Sequence, residues 1–153
     1  MIYLVRHAKA GSRRDWIDDD VVRPLSKKGL AQADALARRM RKLELSAFVT
    51  SPYLRCVQTL IPMAAQRNTA VTTDDRLAEE QGFAGALELL AEVPDGAVLC
   101  SHGDVIPATM AALERRGCEF LTTPDWRKAT VWLLDRAADG IITTATVWPP
   151  PGE

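Results

Sequence analysis

The sequence has few cysteines and no long apolar run, and each shortage excludes a class of protein. Its three cysteines, Cys56, Cys100 and Cys118, are odd in number and widely spaced, which argues against a disulfide framework or a cysteine-type zinc site. We expect buried free thiols. The first apolar stretch ends at Val5 and Arg6 follows, whereas a membrane span needs about 18 apolar residues and a signal peptide would still be apolar here. We therefore expect a cytoplasmic protein with no membrane partner.

An excess of charge of one sign is also lacking. The 153 residues include 19 Lys and Arg against 20 Asp and Glu, for a net charge of −1. This balance gives no general case for nucleic-acid binding. The length suits one domain with one sizeable core. We predict a single domain over residues 1–148, followed by a proline-rich tail at 149–153 that is extended and exposed.

Apolar periodicity predicts strands that alternate with helices. Strands are predicted at 2–5, 47–50, 70–72 and 97–100, and helices at 26–43, 51–67, 84–91 and 105–116. Ser26 is the expected N-cap of the first helix, and Pro62 should end or kink the second. This alternation is typical of a mostly parallel sheet covered on both faces. Two more strands, at 129–134 and 141–147, flank a turn at Asp139-Gly140 and predict a hairpin that extends one edge.

The chain has only two histidines, and each directly follows a predicted buried strand. Arg6 and His7 follow the first strand, and His102 follows the fourth. Ligands of open α/β sheets bind outside the carboxyl ends of the strands, so both imidazoles face the expected site. Arg55 lies in the first turn of the helix after the second strand, where free backbone amides favour an anion. The sequence therefore predicts one pocket that contains two imidazoles and two guanidinium groups.

Such a pocket suits a phosphoryl group, because a guanidinium fork matches phosphate oxygens and stabilises developing negative charge. A metal is less favoured, since zinc needs three or four protein ligands and the arginines would repel a cation. We expect neither a metal nor another cofactor. The chain has no Cys-x5-Arg loop and no glycine-rich phosphate loop, which leaves an imidazole nitrogen as the nucleophile. Neighbouring positive charges should lower the pKa of that histidine and keep it neutral.

Four motifs follow one another along residues 1–110. They are Val5-Arg6-His7-Ala8-Lys9-Ala10, Arg23-Pro24-Leu25-Ser26 with Gly29, Ser51-Pro52-Tyr53-Leu54-Arg55-Cys56-Val57-Gln58-Thr59, and Ser101-His102-Gly103. In order and spacing they resemble the small branch of the histidine phosphatase superfamily, and SixA-type phosphohistidine phosphatases in particular. The resemblance implies a three-layer α/β/α fold like that of phosphoglycerate mutase, and no metal. It also implies that His7 is the phosphoryl-accepting nucleophile and that Arg6, Arg55 and His102 bind the phosphate.

Departures from the family's pattern bear on the substrate. Phosphoglycerate mutase-like members usually carry glycine directly after the histidine and asparagine six positions after it, whereas this chain has Ala8 and Arg13. This difference argues against a mutase. Glu79 matches the acid that protonates the leaving group in the family's phosphomonoesterases, although the Gly-x-Trp-Glu-Gly that often follows is absent. The alternative is that Glu79 and Glu80 belong to a solvated turn without a catalytic role. If the match to the family's motif is displaced by one residue, Glu80 is the acid instead of Glu79.

These motifs together predict a phosphatase that acts on phosphohistidine in a protein or on a small phosphoester. Lys9, Ser12 and Arg13 lie on the loop after His7 and could contact the rest of the substrate, although such a charge run is equally typical of a solvated face. Two alternatives stay open. Similar domains occur fused to Nudix hydrolases, which would make the substrate a nucleotide. The same fold could also serve as a non-catalytic phosphate-binding module.

Overall fold

The structure is a computed structural model that describes residues 1–152. Its strands are β1 (Ile2–Arg6), β2 (Ala47–Thr50), β3 (Val71–Thr73), β4 (Ala97–Ser101), β5 (Glu119–Phe120), β6 (Val131–Arg136) and β7 (Ile142–Trp148). Its helices are α1 (Lys27–Arg39), α2 (Leu54–Ala65), α3 (Ala84–Glu92) and α4 (Val105–Arg115). Two short 3-10 helices span Asp20–Val22 and Asp75–Leu77. In the described part of the chain, no helix is both long and apolar enough to cross a membrane.

The seven strands form one sheet in the order β3-β2-β4-β1-β6-β7-β5. The strands β3, β2, β4 and β1 are parallel, and β6 is antiparallel to both β1 and β7. This arrangement confirms the predicted α/β fold with a mostly parallel sheet and a terminal hairpin, to which β5 adds an outer strand of two residues. Because β1, β2 and β4 are parallel neighbours, the segments that follow them emerge at the same edge of the sheet.

Apolar side chains pack on both faces of this sheet. Ile2 and Leu4 of β1 join a buried cluster with α3 and α4, whereas Tyr3 and Val5 join a second cluster with α1 and α2. Alternate residues of a strand point to opposite faces, so one short apolar strand contributes to both clusters. The result is the expected helix, sheet and helix layering. Cys56, Cys100 and Cys118 are buried free thiols, as the sequence predicts.

The end of the first helix differs from the prediction. The Ser26 hydroxyl accepts a hydrogen bond from the Gly29 amide, which confirms the N-cap, but α1 ends at Arg39 instead of residue 43. The carbonyls beyond that end, including those of Met40 and Leu43, accept hydrogen bonds from the Arg67 guanidinium of a later segment. Arg67 thus supplies the hydrogen bonds that these carbonyls would otherwise receive from backbone amides in a longer helix.

The second helix and the tail also differ from expectation. Helix α2 begins at Leu54 instead of residue 51, and it continues to Ala65, so Pro62 does not end it. The prediction of an exposed tail is wrong for Pro150, which is buried. The Arg39 guanidinium donates a hydrogen bond to the Pro149 carbonyl at 2.5 Å. The beginning of the tail is therefore held against α1.

Candidate active site

His7 directly follows β1 and is 5% exposed. Its Nδ1 lies 2.7 Å from the Ala8 carbonyl oxygen. A carbonyl can only accept a hydrogen bond, so Nδ1 carries the proton and Nε2 keeps its lone pair. Burial lowers the pKa of His7 to about 3, although the bond to the Ala8 carbonyl opposes this shift. At neutral pH the ring is uncharged, and its Nε2 is available as a nucleophile.

Backbone contacts fix the segment that carries His7. The Ala8 amide donates to the Thr59 hydroxyl at 3.0 Å, and that hydroxyl donates to the Arg55 carbonyl at 2.7 Å. The amide of His7 itself donates to the Ser101 carbonyl and so extends the pairing of β1 with β4. Helix α2 and strand β4 therefore both position the imidazole.

His102 follows β4 and is 1% exposed. Its Nε2 lies 2.8 Å from the Ser51 hydroxyl oxygen, at the end of β2. The ring meets the His7 ring edge to face, with 5.5 Å between the centroids. The structure thus brings together the two histidines that the strand ends predicted.

Arg55 is completely buried in the first turn of α2. Its guanidinium donates to the Asp20 carbonyl at 3.0 Å, to the Asp20 carboxylate at 3.1 Å and to Glu79 Oε1 at 2.7 Å. It also lies over the Tyr53 ring, with Cζ 4.9 Å from the centroid. Its Nε is buried without a hydrogen-bond partner in the described residues. These contacts hold a fixed positive charge close to His7 and His102.

Arg6 is the last residue of β1, and its guanidinium packs directly on the backbone of Gly103. A Cβ at position 103 would lie 2.6 Å from Arg6 Nη2, so a larger residue there would displace the guanidinium. Arg6 donates to the Trp126 carbonyl. Burial lowers the pKa of Arg6, and Asp104 opposes that shift. The glycine of the Ser-His-Gly motif is therefore explained by its contact with Arg6.

Glu79 contacts Arg55 and His102, whereas Glu80 contacts Asp104. Glu79 Oε1 accepts hydrogen bonds from Arg55 at 2.7 Å and from Arg13 at 3.0 Å, and it lies 3.6 Å from His102 Nδ1. Glu80 has a φ of 68° and its amide donates to the Asp104 carboxylate. Of the two carboxylates, Glu79 is the one that contacts the predicted pocket residues.

Asp20 is a charged site residue that the sequence reasoning missed, and Arg23 was named there only as part of a motif. The Asp20 carboxylate lies 2.8 Å from Arg23 Nε, 3.1 Å from Arg55 Nη2 and 3.8 Å from Arg13 Nη2. Burial raises the pKa of Asp20, but the hydrogen bonds and charges of Arg23 and Arg55 outweigh this and hold it below its usual range. The spacing of three residues between Asp20 and Arg23 suits an ion pair on one side of a helical turn, but Asp19, four residues before Arg23, suits it equally. No local signal therefore selects Asp20.

A cavity of about 850 Å³ opens beside these groups, a size typical of small-molecule sites. His7, Arg6 and Glu79 line it, together with the three predicted loop residues Lys9, Ser12 and Arg13. Lys128, from the segment before β6, also lines it and was not predicted. Over residues 1–152, no three His, Cys, Asp or Glu side chains form a group that could hold a metal ion.

Comparisons with known proteins match a family model over the first part of the chain and a curated relative over nearly all of it. The family model of the histidine phosphatase superfamily (branch 1) matches residues 2–85. An 8-oxo-(d)GTP phosphatase of Mycolicibacterium smegmatis is 32% identical over 158 aligned residues, which cover 99% of this chain and 49% of that protein. The chain thus spans about half the length of this curated relative.

Two solved structures have similar folds. The protein histidine phosphatase SixA, complexed with tungstate, has a TM-score of 0.74 and 22% identity over 98% of this chain and 96% of that one. A mycobacterial glucosyl-3-phosphoglycerate phosphatase in complex with VO3 has a TM-score of 0.66 and 20% identity over 88% of this chain and 92% of that one. At these identities the likeness shows the fold alone.

Proposed function

Because the chain belongs to the histidine phosphatase superfamily, we propose that it is a phosphatase whose His7 accepts the phosphoryl group of the substrate. The observation that carries this proposal is the hydrogen bond from His7 Nδ1 to the Ala8 carbonyl. This bond leaves the lone pair on Nε2, in a ring that burial keeps neutral and that lines an arginine-bearing cavity. A neutral imidazole held in this way is prepared for covalent catalysis.

The proposed reaction has two steps. In the first, the Nε2 lone pair attacks phosphorus and forms a P–N bond, while the bond to the leaving group breaks and its electron pair departs with that group. The proton stays on Nδ1 and remains hydrogen bonded to the Ala8 carbonyl, which stabilises the positive charge that develops on the ring. In the second, water attacks phosphorus and passes a proton to the solvent. The P–N electron pair returns to His7, and inorganic phosphate leaves.

The phosphoryl oxygens are proposed to bind Arg6, Arg55 and His102. Arg55 already donates to the carboxylates of Asp20 and Glu79, which orient its guanidinium before any substrate is present. Donors fixed in advance stabilise transition-state charge without reorganisation at the moment of reaction.

The proposed substrate is a phosphorylated molecule, either phosphohistidine in a protein or a small phosphoester. A nucleotide is the second candidate, and the observation that favours it is the 32% identity to the 8-oxo-(d)GTP phosphatase over 99% of this chain. A panel of a phosphohistidine protein, nucleoside mono- to triphosphates and sugar phosphates separates these candidates by kcat/KM.

Turnover of para-nitrophenyl phosphate tests the proposed function. We expect release of para-nitrophenol with saturation kinetics, and competitive inhibition by vanadate. A non-catalytic phosphate-binding module would bind vanadate but release no product. Binding without turnover would therefore contradict the proposal.

Activity is expected to be independent of metal ions. The guanidinium groups of Arg6 and Arg55 lie beside His7 and supply the positive charge that a metal would otherwise provide. They also repel a metal cation. Dialysis against EDTA should leave the turnover of para-nitrophenyl phosphate unchanged. If the chelated enzyme lost activity and zinc or magnesium restored it, the proposed phosphate pocket would be wrong.

Glu79→Gln should affect substrates according to their leaving group. An alkoxide needs a proton in the transition state, whereas a nitrophenolate leaves with little help, so loss of a positioned acid should slow an alkyl phosphate about 100-fold and an aryl phosphate little. The measurement is kcat/KM for glycerol phosphate and for para-nitrophenyl phosphate. Glu80→Gln is the matched control.

Equal losses for both leaving groups in Glu79→Gln would contradict the assignment of Glu79 as an acid. They would instead indicate that Glu79 acts by orienting Arg55, to which it is hydrogen bonded at 2.7 Å. A loss confined to the alkyl phosphate in Glu80→Gln would transfer the role to Glu80.

A further inference from the structure

A second depression, of about 380 Å³, adjoins the cavity beside His7. The two share three lining residues, which are Arg6, Lys9 and Lys128. The rest of the second depression is lined by Lys28, Gln32, Arg127 and Pro150. Every charged side chain in this lining is therefore basic, although the chain as a whole has a net charge of −1.

Hydrogen bonds hold the main chain of Lys9 against the start of α1, the helix that carries Lys28. The Lys9 carbonyl accepts hydrogen bonds from the Ser26 amide at 2.9 Å and from the Ser26 hydroxyl at 3.1 Å. The Lys9 amide donates to the Gln32 side chain of α1 at 2.9 Å. A Cβ at Gly29 would lie 1.8 Å from the Lys9 carbonyl oxygen, so only glycine permits this close approach. The loop after His7 is thus fixed against the first turn of α1.

Lys128 reaches the same depression from the segment before β6. The amide of the next residue, Ala129, donates to the carbonyls of Arg6 and His7 at 3.1 and 3.2 Å. Ala129 has a φ of 65°, which is unfavourable for a residue with a side chain. Strained backbone conformations are found most often at active sites and ligand-binding sites. Lys128 is therefore placed next to His7 by contacts of the main chain.

The three lysines have no acidic partner within the described residues. The nearby ion pairs join Arg13 to Glu79 and Arg127 to Asp125, and none of the ion pairs of residues 1–152 includes Lys9, Lys28 or Lys128. Burial lowers the pKa of Lys128, and the charges of Arg6, Arg23, Lys9 and Arg55 lower it further. Like charges held this close repel one another, and a bound anion would relieve that repulsion.

On the basis of the proposed function, we propose that Lys9, Lys28 and Lys128 form a second anion-binding subsite. It takes a phosphate or carboxylate group of the substrate other than the phosphoryl group that His7 attacks. Arg6 lines both depressions, so the two anionic groups lie close together. The substrate class is a small phosphorylated molecule with at least one further anionic group. That group is either the next phosphate of a polyphosphate chain or a separate phosphate or carboxylate.

Inhibition of para-nitrophenyl phosphate turnover measures this subsite directly. Pyrophosphate offers two linked anions and phosphate offers one, so pyrophosphate should inhibit the wild-type chain at least about 10-fold more tightly. Lys28→Gln and Lys128→Gln should each reduce that preference about 10-fold, because each removes one charged donor. Lys27→Gln is the matched control, since Lys27 is the exposed neighbour of Lys28 on α1 and lies outside both linings.

An equal affinity for phosphate and pyrophosphate in the wild-type chain would overturn the subsite. So would equal losses in Lys27→Gln and Lys28→Gln, which would show a general effect of net charge. Absence of turnover would overturn the proposed function instead. In that case the affinities for phosphate and pyrophosphate are measured by calorimetry. Tighter binding of pyrophosphate would support the subsite, and equal affinities would overturn it.

Substrate turnover distinguishes the two sources of the second anion. We expect kcat/KM for either a nucleoside triphosphate or fructose 1,6-bisphosphate to exceed that for a nucleoside monophosphate, and Lys128→Gln to remove most of the excess. An excess for the triphosphate alone assigns the subsite to a polyphosphate chain, and an excess for the bisphosphate assigns it to a separate phosphate. No excess for either would contradict the proposal.

Discussion

Replacement of His7 by alanine is expected to abolish turnover of para-nitrophenyl phosphate. The variant lacks the Nε2 lone pair, and no other group in the proposed mechanism can form the covalent intermediate. Loss of a covalent nucleophile typically lowers kcat by four or more orders of magnitude. The measurement is kcat for purified His7→Ala beside the wild-type chain. Activity within 10-fold of wild type would contradict the assignment of His7 as nucleophile.

The fold of His7→Ala must be checked in the same experiment. The imidazole is buried, but its one side-chain hydrogen bond within residues 1–152 is to the carbonyl of the next residue, so we expect its removal to leave β1 and its neighbours intact. A cooperative thermal transition with unchanged far-ultraviolet circular dichroism shows that lost activity is not lost structure.

Arg55→Ala is expected to cause the second large loss of kcat, and Arg6→Ala a similar one. Each guanidinium is proposed to bind the oxygens of the phosphoryl group, on which negative charge develops. Loss of one preorganised donor costs about 2.7 to 4 kcal/mol in the transition state, or about 100- to 1000-fold in kcat. The measurement is kcat and KM for para-nitrophenyl phosphate. His102→Ala is expected to behave in the same way.

Matched variants separate this role from a structural one. Arg55 also pairs with Asp20 and Glu79, so Arg55→Lys, which keeps the charge and loses the fork, should recover part of the rate lost in Arg55→Ala. Arg14→Ala is the control for removal of an exposed arginine from the adjacent loop. A rise in KM with kcat unchanged would mean that Arg55 binds substrate and transition state equally, which would contradict its proposed role.

Strand ends were the part of the site that the sequence could predict. His7 and His102 each follow a short apolar strand, and parallel pairing alone brings such positions to one edge of a sheet. Arg55 was predictable for a related reason, because it lies in the first turn of the helix after a third such strand. In these cases the local pattern of the chain and the topology of the sheet are sufficient.

Loop residues could not be predicted in this way. Asp20 lies within a run of three aspartates, and nothing local distinguishes it from Asp18 or Asp19. Its contact with Arg55 joins residues 35 positions apart. Lys128 is similar, since its place beside His7 depends on the amide of Ala129, which bonds to the main chain at the end of β1. Such contacts follow from tertiary packing and leave no periodic signal.

The ends of helices and strands were also poorly predicted, because contacts with distant parts of the chain determine them. The first helix stops at Arg39 although its apolar spacing continues to Leu43, because Arg67 from another part of the chain pairs the free carbonyls. The two-residue strand β5 has no pattern of its own, and its pairing with β7 defines it.

Rapid-quench trapping of the phosphoenzyme tests the central claim most directly. The wild-type chain is mixed with phosphoryl-labelled substrate, quenched within milliseconds, and its covalent label is tested for stability in acid and in alkali. A phosphoramidate at His7 predicts label that is labile to acid, stable to alkali and absent from His7→Ala. Label that survives acid, or that persists in His7→Ala, would contradict transfer of the phosphoryl group through His7.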